Sequence, residues 1–192
     1  ISANAGPSPL AGAGCSPFFF SASYQNDQNH ETMGAYAQSK GYKKVVLMTP
    51  NYQAGKDSMA GFKRAYKGEV IDEIFTPLGQ LDFSAELTKI AAANPDAVFT
   101  FMPGGMGVNL VKQWTQAGLG AKIPFLSAFT VDETTLPATQ DAALGLLSGA
   151  EWAPNLDTAE NKAFVAAYEK EYGVVPSLYA AQGYDAAKLI DG

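Results

Sequence analysis

The chain has 192 residues, 47% of them hydrophobic and 17% charged, and its 13 Lys and Arg against 19 Asp and Glu give a formal charge of −6. That length holds one good-sized domain or two small ones, and the basic residues are dispersed, densest at Lys63, Arg64 and Lys67, which excludes the basic stripe a nucleic-acid partner requires. The longest apolar runs, residues 45–48 and 97–102, fall far short of the ~20 residues of a membrane-spanning helix.

Along the chain, short apolar runs alternate with amphipathic segments of period 3.6. Residues 43–49 (KKVVLMT) read as a strand, and 55–66 as a helix burying Met59, Phe62, Ala65 and Tyr66. Residues 69–76 (EVIDEIFT) read as the next strand, and Asp82 as the cap of a helix presenting Phe83, Leu87, Ile90 and Ala91 that stops at Asn94-Pro95. Residues 97–102 (AVFTFM) form a third strand, followed by the turn Pro103-Gly104-Gly105 and a helix carrying Val108, Val111, Trp114 and Ala117. A fourth strand is expected at 124–128, a broken helix around Pro137 and an extended run at 147–152. Two helices close the chain: 158–172, with Phe164, Ala167, Tyr168 and Tyr172 on one face, and 178–190, with Ala181, Tyr184, Ala187 and Ile190.

Strand–helix–strand alternation implies an α/β, doubly wound parallel sheet with helices on both faces, because parallel neighbours need crossover connections. The expected division is 1–23, part of a first lobe; 24–150, one nearly complete α/β lobe; and 151–192, helices returning to the first lobe. The chain starts without an initiator Met or a signal-peptide pattern and stops directly after a helical pattern, so an internal piece of a longer protein is expected. The uncovered apolar faces of the flanking elements are expected to make it self-associate or fray.

The lone Cys15 excludes an internal disulfide and reads as a buried small hydrophobe. His30 has no second His or Cys nearby, so no metal site and no cofactor are expected. No dinucleotide or phosphate-binding glycine motif and no nucleophile elbow is present, which argues against an enzyme. In open α/β sheets ligands sit at the carboxyl ends of the strands, which directs attention to the loops 1–8, 51–55, 103–105 and 129–130. Ala5 and Gly6 precede a short helix near Ser8 and either face an anion or form a plain turn and cap. Tyr52 covers a ligand with its ring or packs on Lys56. Pro103 and Gly104 bring backbone near the cleft or make an ordinary strand-to-helix turn.

Several motifs in order resemble the type I periplasmic solute-binding proteins related to the leucine/isoleucine/valine receptors. They are Ile1-Ser2-x-x-Ala5-Gly6, Asn51-Tyr52-x-x-Gly55-x-Asp57, Asp82-Phe83-Ser84, Asn94-Pro95-Asp96-Ala97-Val98, Gln116-Ala117-Gly118-Leu119 and Tyr184-Asp185-Ala186. The resemblance implies two lobes joined by three crossings, two of them at 16–24 and 149–154. It implies a periplasmic receptor that closes about a small molecule and delivers it to an ABC permease in the membrane. In amino-acid receptors of that family, acidic residues pair with the ligand's ammonium. Here Phe129, followed by Thr130, stands at one such position and Asn26 at the other, with Asp27 adjacent. An ammonium left unpaired in a closed cleft is strongly unfavourable. The implied ligand is therefore an aromatic or aliphatic carboxylate, aromatic by preference, unless Phe129 is ordinary core. The same fold also serves as the sensory domain of receptors and transcriptional regulators, which is the alternative.

Overall fold

The computed structural model describes residues 1–192. Two compact units emerge, Asn26–Gly149 and the combination of Ile1–Gln25 with Ala150–Gly192. The first is built on five parallel strands, β1 (Lys44–Pro50), β2 (Glu69–Thr76), β3 (Ala97–Thr100), β4 (Phe125–Ala128) and β5 (Leu147–Gly149), in the order β2-β1-β3-β4-β5. Helices α1 (Gln28–Ser39), α2 (Gln53–Ala65), α3 (Ser84–Ala93), α4 (Gly105–Gln116) and the short α5 (Leu136–Thr139) surround it. The broken helix expected around Pro137 is α5 followed by a single 3-10 turn, Gln140–Ala143.

Strand alternation sorts the core into two faces. Val46, Met48 and Val98 join Leu87 and Ile90 of α3 and Leu110, Val111 and Trp114 of α4 in one cluster. The intervening Val45, Leu47, Ala97 and Phe99 are equally buried, and Phe99 stacks on Phe62 of α2 at 4.6 Å. The buried faces shift slightly from those expected: Ala91 and Ala117 are exposed, and α4 turns Met106 and Leu110 inward instead. Asp82 accepts from the Ser84 amide at 3.0 Å, tying the entry to α3. The edge strand β2 carries the pairs Lys89–Asp72 and Lys63–Glu73, charges of the kind that discourage edge-to-edge pairing.

Helices α1 and α2 pack on the same side of the sheet, and their crossing depends on two glycines. A Cβ on Gly34 of α1 would lie 2.1 Å from the Phe62 carbonyl oxygen, and one on Gly61 of α2 would lie 2.2 Å from that of Asp27. Only bare backbone permits this approach, and it fixes the height of α1 beneath the carboxyl ends of β3 and β4.

In the second unit Ser2 bridges Ser21 as a parallel pair, with the Ser2 amide donating to the Phe20 carbonyl at 2.7 Å. Helices α6 (Ala159–Tyr172) and α7 (Leu178–Asp191) begin at the caps Thr158 and Ser177, whose hydroxyls accept from the Asn161 and Ala180 amides. Phe164 and Tyr184 bring the two helices together at 4.7 Å. The face of α7 that is buried is Leu178, Ala181, Gln182 and Ala186, so the expected stripe is corrected: Tyr184, Ala187 and Ile190 are exposed. Cys15 is likewise exposed. It sits in an irregular turn, its amide donating to the Gly12 carbonyl at 2.9 Å, and no core lies there to receive it.

Candidate functional site

The strand order reverses between β1 and β3, because β2 lies to one side of β1 and β3 to the other. Such a switch point opens a crevice at the strands' carboxyl ends. Two loops border it: Asn51–Tyr52, running from β1 into α2, and residues 101–104, running from β3 into α4. Across it the rings of Tyr52 and Phe101 lie nearly parallel, 17° apart in plane with centroids 6.1 Å apart. Phe129, one residue beyond β4, meets Phe101 edge-on at 6.2 Å. The result is a continuous aromatic patch.

Phe129 holds φ at 54°, a left-handed conformation uncommon outside glycine and a genuine outlier for a bulky residue. Its neighbours brace it. The Thr130 hydroxyl accepts from the Met102 amide at 2.8 Å and donates to the Ala128 carbonyl at 3.3 Å, tying the end of β4 to the end of β3. Thr135 in turn donates to the Thr130 carbonyl at 3.1 Å. Thr130 is fully buried, with its hydroxyl engaged by both Met102 and Ala128.

Under the Tyr52 loop lies a polar layer. Asn26 and Gln53 donate to the two oxygens of Asp57, at 3.1 and 2.8 Å. Asn26 is buried with Asp57. Asp27, the neighbouring acidic candidate, is also buried and pairs with Arg64, which reaches Glu31 at 2.8 Å. Arg64 thus offsets its charge while being shared with Glu31, and Asp27 Oδ1 is left without a hydrogen-bond partner. Burial raises the Tyr52 hydroxyl pKa, so Tyr52 is a neutral hydrogen-bonding group at neutral pH. Tyr52 packs on Phe101 rather than standing alone over Lys56.

Pro103 is half-buried and Gly104 exposed, with φ 62° and ψ −134° at the start of α4. That conformation is glycine's, and the backbone there is uncovered: a Cβ would meet nothing within 4 Å. Ala5 and Gly6 belong to the other unit. Ala5 is exposed, whereas Gly6 is buried where a Cβ would lie 1.9 Å from the Tyr24 carbonyl oxygen. The 3-10 helix Ser8–Ala11 follows them.

Two residues that sequence reasoning passed over complete the patch. Phe101 forms its centre. His30 of α1 packs against it, its ring 5.1 Å from Phe101 and 5.8 Å from each of Phe99 and Phe129, edge-to-face with all three. Burial lowers the His30 pKa to about 3, although the Asp57 charge pulls upward; the imidazole is neutral.

An open parallel sheet with an uncharged aromatic patch at its switch point is a build suited to holding a small molecule. The chain belongs to the periplasmic binding protein family, whose model matches residues 2–191. Leu/Ile/Val-binding protein homolog 6 of Brucella melitensis is 32% identical over 165 residues, covering 82% of this chain and 42% of its own length. Among solved structures, a solute-binding protein of an ABC transporter from R. palustris in complex with benzoate is 34% identical, with a TM-score of 0.93 over 98% of this chain and 53% of its own. A second, from Rhodopseudomonas palustris BisB5 with 3,4-dihydroxybenzoic acid, is 35% identical with a TM-score of 0.86, at the same coverages. A branched-chain amino acid transporter substrate-binding protein from Streptococcus pneumoniae, in complex with isoleucine, is 26% identical with a TM-score of 0.85, covering 99% of this chain and 55% of its own. These relatives are binding proteins, not enzymes, and the chain spans about half their length.

Proposed function

We propose that the complete protein is the periplasmic solute-binding receptor of an ABC importer and that its ligand is a small aromatic carboxylate, its ring laid on Tyr52, Phe101 and Phe129. Phe129 carries this reading. The family resemblance puts this residue at a position where amino-acid receptors carry an acidic side chain; its backbone is left-handed and its ring is buried in the patch. Asp57 is held by Asn26 and Gln53 and Asp27 by Arg64, and Phe129 itself offers an α-ammonium group no counter-charge, so that desolvating the ammonium against the aromatic patch is unfavourable. An aromatic acid has no such group, and its ring gains from stacked and edge-on contacts. The R. palustris relatives, held with benzoate and 3,4-dihydroxybenzoic acid, are more similar in sequence than the isoleucine-bound one.

On this reading the backbone at Pro103 and Gly104 addresses the carboxylate. The ligand stabilises a closed arrangement of the lobes, which the permease recognises.

A thermal-shift screen of the complete protein tests the ligand class. A ligand that binds only the native state at 100 times its Kd adds about 2.7 kcal/mol of stability, which raises the melting temperature by several degrees. Benzoates are expected to give that shift and leucine none. A shift with leucine and none with benzoates contradicts the proposal.

A further inference from the structure

The nest around His30 is one that a phenylalanine would fill. The residue is 1% exposed and ringed by Phe99, Phe101 and Phe129, and its Nδ1 is buried without a hydrogen-bond partner. Leaving a polar atom buried and unanswered is unfavourable by ~1–3 kcal/mol, an expense that a hydrocarbon ring at this position avoids. Two of the three rings that enclose it, Phe101 and Phe129, are also the rings of the ligand patch. The imidazole is therefore the polar group packed directly against the aromatic surface, while Asp57, the nearest charge, is engaged by Asn26 and Gln53.

We infer that His30 is a specificity-determining residue that hydrogen-bonds a ring hydroxyl of the bound acid, so that hydroxylated benzoates are favoured over benzoate itself. The inference rests on the aromatic-acid function proposed above. The chemistry fits either tautomer: a neutral imidazole has one donor and one acceptor nitrogen, and a phenolic hydroxyl can both donate and accept. A ring C–H does neither. The neutrality that burial imposes also suits a phenol, which is uncharged at neutral pH. A site built to hydrogen-bond a hydroxyl discriminates against the analogue that lacks it, because the polar group of the site is then left unpaired.

Isothermal titration of the complete protein with benzoate and with 4-hydroxybenzoate, in the parent and in His30→Phe, decides the matter. The parent is expected to bind 4-hydroxybenzoate at least about 10-fold more tightly, the equivalent of one good hydrogen bond. In His30→Phe that preference is expected to fall within about 3-fold, 4-hydroxybenzoate losing more affinity than benzoate. Should His30→Phe not fold, His30→Leu is read by the same ratio. A variant that keeps the preference, or one that loses both acids equally, overturns the role of His30. A parent that binds the two acids equally also overturns it and leaves the aromatic-acid function standing. A parent that binds neither removes that function itself, and the inference with it.

Discussion

At Phe129 two energies oppose each other. A left-handed backbone disfavours an L side chain by roughly 1–2 kcal/mol, and the ring, 4% exposed and set against Phe101 and His30, offsets that strain by packing. Phe129→Gly relieves the backbone but removes the ring, and truncating a core phenylalanine costs about 3–5 kcal/mol. The ring wins: a net loss of about 1–4 kcal/mol is expected in urea unfolding, together with loss of aromatic-acid binding by titration. A variant as stable as the parent would show that the ring is not held by packing. His30 makes a prediction of opposite character, in pH. Its ordinary pKa of 6.5 falls to about 3 on folding, so between those values the unfolded chain binds the extra proton. The stabilisation is fully present above about pH 6.5 and declines below it by about 1.4 kcal/mol per unit. Between pH 7 and pH 5 the parent should lose about 2 kcal/mol that His30→Phe does not; equal losses in urea unfolding would contradict it. Tyr52 and Phe129 are legible in the sequence because each directly follows a strand's carboxyl end. Phe101 occupies the same kind of place after β3, but the unbroken run 97–102 conceals where the strand stops. His30 is a lone histidine until the fold brings residues 99, 101 and 129 around it.

At the scale of elements, the pattern of apolar residues carries nearly the whole architecture, since period-2 and period-3.6 runs alternate cleanly between residues 43 and 128. β5 is shorter than expected, ending at Gly149 rather than Trp152. Beyond it the chain is taken over by side-chain bonds, Trp152 donating to Asn161 at 2.7 Å and Asn161 to the carbonyls of Pro154 and Leu156. No periodicity announces such a staple. The α7 stripe fails for a related reason: periodicity shows that one face is apolar, not whether these residues cover it. The glycine contacts between α1 and α2 are also invisible in a single sequence, because Gly34 and Gly61 read as weak helix formers. Gly34→Ala tests their importance. Its Cβ, 2.1 Å from backbone, cannot be accommodated by a rotamer change, so α1 must move. Overpacking of this kind is expected to destabilise by about 1–3 kcal/mol. By shifting His30 one turn earlier on α1, it should also weaken aromatic-acid binding. Unchanged stability in urea and unchanged affinity would refute the close crossing.

The whole chain divides into a unit with a full sheet and core, Asn26–Gly149, and one that leaves large apolar side chains exposed, among them Phe18, Phe20, Tyr172, Leu189 and Ile190. Exposed apolar surface on that scale favours association. Sedimentation equilibrium of the 192-residue chain alone is expected to give a mass above its 20.2 kDa, and an ordered monomer would contradict this. In the complete protein the governing question is where an aromatic acid sits. A crystal structure of the complete protein with benzoate answers it most directly. The ring should lie in van der Waals contact with Tyr52, Phe101 and Phe129 at the carboxyl ends of β1, β3 and β4. Density for the ring elsewhere, with those three side chains touching only one another, would contradict the account.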